Sequence, residues 1–190
     1  MKTLLILMLA LTTFANAQTG DKDEVTKIVG NYFKEIQDRK WDKVPDYLYP
    51  KLFEGISKED MVATMKLIDE DEDFSTTFDA LTITSTSDKL KVGKEEFVRV
   101  HYVMQLTFKV YESNDDGVMM TILLNNFKAA YGNNVKEISG NKIEVFAPKT
   151  MIAIAPKGTS DWKLLEYNRS NPEAVEAFLP KKVIKKFDLD

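Results

Sequence analysis

The chain has 190 residues, of which 44% are hydrophobic and 11% aromatic, enough to bury a core and too many for a disordered chain. It contains no cysteine, which excludes disulfides, thiolate metal sites, thiol nucleophiles and a lipidated-cysteine anchor. A net charge of −4 argues against the basic surface that collects phosphates, so nucleic acid is not an expected partner.

The first residues read as an export signal. Lys2 supplies a short positive end, residues 4–14 are an apolar run too short for a comfortable span, and Ala15-Asn16-Ala17 offers a small-x-small cleavage site. Cleavage after Ala17 would leave residues 18–190, a single α+β domain free in a periplasm or secreted. Losing Lys2 takes the net charge to −5. No later run is long and apolar enough to expect a membrane span.

Val25, Ile28, Val29, Tyr32, Phe33 and Ile36 recur at helical spacing, which predicts an amphipathic helix over about 22–39, with Asp21 or Asp23 as its cap. Trp41 opens a shorter helical stretch with Val44, Tyr47 and Leu48 on one face; Pro45 falls in its first turn and Pro50 ends it. Ser57 and Asp60 mark the cap of a third helix whose buried stripe is Met61, Val62, Met65 and Ile68. The acidic run 69–73 opposes the helix dipole and stops it.

The sheet begins with a Thr-, Ile- and Phe-rich strand at 74–87, and residues 88–94 turn the chain into a long strand at 97–111. In that strand Val98, Val100, Tyr102, Met104, Leu106, Phe108 and Val110 share one parity. Arg99, His101, Gln105, Thr107 and Lys109 share the other, with Phe97, Val103 and Tyr111 as apolar exceptions. Such alternation gives one dry and one wet face. After an Asn114-Asp115-Asp116-Gly117 turn, residues 118–131 read as a helix ended by Gly132, with a strand over 118–124 as the competing reading. Residues 135–138 pair across Ser139-Gly140-Asn141 with a strand at 142–147. Separate strands follow at 150–155, apolar on both faces, and at 161–167. Asn171 and Pro172 open a helical tail at about 171–188, interrupted at Pro180 and anchored by Val183, Ile184 and Phe187.

Tyr32-Phe33 and Ile36, then Lys40-Trp41-Asp42-Lys43-Val44, then Asp161-Trp162-Lys163-Leu164-Leu165 follow an order that resembles the nuclear transport factor 2-like fold. That cone is shared by ketosteroid isomerases, SnoaL-like cyclases and many exported bacterial proteins. The resemblance covers about 23–167 and implies three amino-terminal helices packed on a curved antiparallel sheet. The helix at 118–131 and the helical tail are additions to the compact pattern.

Enzymes on such a cone need a carboxylate or imidazole inside it. The apolar parity of the long strand, read from Phe97, holds no Asp, Glu or His, and Tyr102 is its one polar group. His101 lies on the wet parity. Glu166 shares a parity with Trp162 and Leu164 and is the single weak candidate for a catalytic acid, with the competing expectation that it is solvated. The acidic run lacks the glycine turn and closing Glu of a calcium loop, so no metal is expected, and no cofactor. Lysines 181, 182, 185 and 186 belong to a packed amphipathic helix. Tyr32, Tyr47, Tyr102 and Trp162 are the expected lining of a pocket with apolar walls and polar tips. The resulting reading is non-catalytic binding of a small apolar ligand or a protein partner. The alternatives are an isomerase or hydrolase using Glu166 with a tyrosine, and a homodimer formed through the Arg99, His101 and Gln105 face.

Overall fold

In the computed structural model, the backbone is described at residues 2–111, 117–168 and 176–189, with side chains from residue 20 onward. Helix α1 (Lys2–Gln37) buries the expected stripe: Val25, Val29, Phe33 and Ile36 are buried and Ile28 and Tyr32 half-buried. It begins well before the predicted cap, so neither Asp21 nor Asp23 caps it. No proline interrupts residues 2–37, and two glycines, Gly20 and Gly30, weaken a helix without ending it. The helix stops two residues earlier than predicted because Arg39 takes a left-handed conformation (φ 56°).

Two 3₁₀ turns follow, Trp41–Tyr47 and Pro50–Glu54. Pro50 therefore opens a turn instead of closing one. Between them Leu48 and Tyr49 are extended, and the Tyr49 amide donates to the Leu164 carbonyl at 2.9 Å. Helix α2 (Lys58–Asp69) has the predicted cap: Ser57 Oγ accepts from the Asp60 amide at 3.0 Å and donates to Asp60 Oδ2 at 2.7 Å. Its stripe is shallower than predicted. Met61, Val62 and Met65 are only half-buried and Ile68 is 53% exposed, because α2 lies at the margin of the fold, against Trp41 and Val44.

Among the described residues six antiparallel strands make the sheet: β1 (Phe74–Thr86), β2 (Leu90–Val92), β3 (Glu95–Val110), β4 (Val135–Ser139), β5 (Lys142–Pro156) and β6 (Lys163–Tyr167). The order is β1-β3-β5-β4, with β2 on β3 and β6 on β5. Bulges in β1, between Phe78 and Ala80 and between Ile83 and Ser85, add the twist that curls the sheet toward a half-barrel. The residues read as a turn before β3 contain β2, and the true turn is tight around Gly93 (φ 61°). Residues 118–131 are helical, as α3 (Val118–Tyr131), with Gly132 at its carboxyl end.

The two strands expected at 142–147 and 150–155 are one. Pro148 does not break β5: among the described residues no strand pairs with it on that side, β4 pairing with residues 142–145 and β6 with residues 150–154. Proline's missing amide proton costs nothing where no strand accepts it. Among the described residues the sheet thus carries a notch at 146–149.

The predicted dry parity of β3 is the inner face. Val98 and Val100, with Met151, Ala153, Trp162 and Leu164, pack on Val25 and Val29 of α1. Leu106, Ile143 and Val145 pack under Met120, Leu123 and Phe127 of α3. The other face is not uniformly wet. Helix α4 (Lys181–Phe187) lays Val183, Ile184 and Phe187 on Phe97, Ile152, Ile154 and Leu165, which explains why residues 151–155 are buried on both sides. Among the described residues no helix is long and apolar enough to cross a membrane. Asn171, Pro172 and Val175 lie outside the described residues, as do Asn114, Asp115 and Asp116.

Candidate functional site

Between α1, α2 and the sheet lies a cavity of about 240 Å³. Its walls are mostly apolar, with Phe33, Trp41, Met65, Phe78, Leu81 and Met104 contributing, and its polar atoms come from Tyr32, Tyr102, Asp69, Thr76 and Glu166. Each wall has a local cause. The α1 stripe turns Tyr32 and Phe33 inward, the inner parity of β3 supplies Tyr102 and Met104, and the first 3₁₀ turn holds Trp41 at one end. Trp41 Nε1 donates to Asp69 Oδ2 at 3.1 Å, and the same carboxylate is paired with Arg39. These contacts fix the end of α2 as the rim of the cavity.

Tyr102 is buried and Tyr32 half-buried. Burial first, then the negative charge of Glu166, pushes both phenol pKa values far above the ordinary range. The hydroxyls therefore stay protonated and remain hydrogen-bond donors. Glu166 is 40% exposed at the cavity wall and is ion-paired with Lys149. Lys149 stands opposite Tyr102 in the β3–β5 register, on the inner face.

Of the residues expected to line a pocket, Tyr32 and Tyr102 do so. Tyr47 is outside the lining and packs its ring against Tyr32, 6.1 Å between centroids. Trp162 is sealed in the core beneath α1, its Nε1 3.4 Å from Glu24 Oε2. Trp41, Met65 and Phe78 of the lining, and Lys149 as the partner of Glu166, were not picked out from the sequence. For Lys149 a signal existed: it continues the parity of Val145 and Ala147. The others come from separate elements and share no spacing.

One expectation is overturned. β3 begins at Glu95, so Glu96 falls on the inner parity, and it is 2% exposed. Burial alone would raise its pKa, but Lys89 (3.0 Å) and Lys91 (3.6 Å) outweigh that and hold the carboxyl below the ordinary range. Lys89 also reaches Asp21 of α1 at 2.6 Å. This acid lies outside the cavity lining and clamps the helix to the β2–β3 hairpin. The acidic run at 69–73 is put to structural use: besides the contacts of Asp69, Asp71 Oδ1 accepts from the Asp73 amide at 2.8 Å. Arg99, expected on an open dimer face, is half-buried and donates to the Phe187 carbonyl of α4, while His101 Nδ1 is 2.9 Å from Thr150 Oγ1.

No family model, curated protein or solved structure matches the chain.

Proposed function

We propose that this is an exported binding protein, built as a variant of the nuclear transport factor 2-like cone, whose inner cavity takes a small apolar molecule. The observation that carries the reading is the cavity itself. It is dry-walled, and its few polar groups are two protonated phenols, Thr76, and carboxylates already paired with Arg39 or Lys149. Apolar pockets with a few convergent polar tips are the usual form of small-molecule sites. A cavity of roughly 150 Å³ admits benzene, so about 240 Å³ suits a fused two-ring molecule.

Calorimetric titration with naphthalene tests this. Binding is expected, with a thermal shift equivalent to about 2.7 kcal/mol of stabilisation at a hundredfold excess over Kd. Met65→Trp, which fills the cavity from the half-exposed helix α2, should abolish it. Absence of binding by naphthalene, benzene and indole alike overturns the proposal.

A second reading, an enzyme using Glu166 with a tyrosine, draws support from the carboxylate lying in the same wall as Tyr32 and Tyr102. It ranks second because Lys149 neutralises that carboxylate. It predicts that Glu166→Gln abolishes turnover of a bound carbonyl compound without lowering its affinity.

A further inference from the structure

A second, larger cavity of about 740 Å³ lies beside the first, and Tyr102 and Glu166 line both. It lies beside the notch in the sheet. Pro148 and Lys149 of the unpaired stretch of β5 border it, and residues from both faces contribute: Tyr102 and Glu166 from the inner face, His101 and Thr150 from the outer. The carboxyl end of α3, at Ala130 and Tyr131, and the segment after α4, at Asp188 and Leu189, complete the wall.

The chemistry of the two cavities differs. The first is walled by hydrocarbon and aromatic groups. The second is rich in hydroxyls, from Thr84, Tyr131, Thr150 and Tyr167, with the Asn168 amide; the Tyr167 hydroxyl donates to the Leu189 carbonyl at 2.6 Å and Thr150 Oγ1 meets His101 Nδ1, so both offer a ligand their remaining oxygen lone pairs. Among the described residues its charges are arranged against an anion: Lys149 is already paired with Glu166, and Asp188 adds a second carboxylate. A cation would gain little, because Glu166 is neutralised and Asp188 is solvent-exposed, where ion pairs contribute about 0–1 kcal/mol.

We propose that the two cavities act as one amphipathic site, whose ligand places an aromatic or aliphatic ring in the first and an uncharged, hydroxyl-bearing head in the second. Tyr102 and Glu166 stand at the junction and meet the linking atoms. This rests on the cavity reading above and adds the ligand's polar half. The specificity it implies is for neutral polyol conjugates of small apolar groups, such as glycosides, over the corresponding carboxylates.

Three probes of one ring decide it by calorimetry on the protein: naphthalene, 2-naphthyl β-glucoside and 2-naphthoate. The glucoside is expected to bind at least about tenfold more tightly than naphthalene. Ala130→Phe, at an exposed position on the wall of the second cavity alone, should erase that gain while leaving naphthalene affinity unchanged. If naphthalene binds and the glucoside binds no better, or if Ala130→Phe spares the gain, the amphipathic site is refuted and the apolar cavity stands. A tighter naphthoate overturns the uncharged head. If none of the three binds, both readings fall.

Discussion

Lys89→Met should be among the most damaging single substitutions outside the hydrophobic core. The Glu96 carboxylate is 2% exposed and relies on Lys89 at 3.0 Å, with Lys91 at 3.6 Å on its other oxygen. At an effective dielectric of about 20 the closer pair attracts by roughly 5 kcal/mol, most of which offsets the desolvation of the acid. Removing Lys89 leaves that cost standing. Lys91, whose side chain is 59% exposed, screens only part of it, so a loss of about 3 kcal/mol is expected, at the low end for a broken buried pair. Lys89→Met with Glu96→Leu should recover most of the loss, since it removes both charges.

Urea unfolding monitored by circular dichroism measures these values at pH 7, and repeating it down to acid pH gives the linkage. Glu96 has a lowered pKa in the folded protein, so its contribution is present above its ordinary value of 4.5 and fades as pH falls through the folded value. Wild type and Glu96→Gln should therefore converge on acidification. Lys89 behaves oppositely: burial lowers its pKa but Asp21 and Glu96 outweigh that. Its raised value makes its contribution complete below 10.5 and lost as pH rises through the folded value. A cost below about 1 kcal/mol for Lys89→Met, or a wild-type advantage over Glu96→Gln that is flat with pH, refutes the reasoning.

Three further outcomes are expected. Ser57→Ala removes the cap of α2 and should cost about 1 kcal/mol in urea unfolding, with weaker naphthalene binding because α2 forms a wall of the first cavity. Arg99→Met deprives the end of α4 of its charged donor; it should cost about 2 kcal/mol and speed hydrogen exchange at residues 181–187 before the rest of the chain. Gly93→Ala, at φ 61° with nothing within 4 Å of an added Cβ, should cost about 1 kcal/mol through backbone conformation alone, read as a lowered Tm.

The elements that sequence resolved best were those with a local cause. The α1 stripe, the Ser57 cap, the parity of β3 and the helix before Gly132 each follow from spacing within one segment. What escaped depends on pairing between distant segments. Pro148 reads as a break until β4 and β6 are seen to pair with β5 only before and after it. Glu96 sits one residue before the first apolar position of β3, so its burial was hidden by where the strand was taken to start. The wall of the first cavity gathers Trp41, Met65 and Phe78 from three elements with no common periodicity, and only Tyr32 and Tyr102 betrayed it through their amphipathic rings. Arg99 and His101 sit on a parity that alternation calls wet; α4, nearly ninety residues later in the chain, covers the first of them.

The vacancy along β5 also bears on self-association. Unsatisfied strand borders invite neighbouring molecules to stack into fibrils. Here, among the described residues, the unpaired stretch spans only residues 146–149, is hemmed at both ends by β4 and β6, and carries Pro148 and Lys149. An incoming strand would find neither the length nor the regular row of donors it requires. The protein can thus keep a window through its sheet without offering a template for polymerisation.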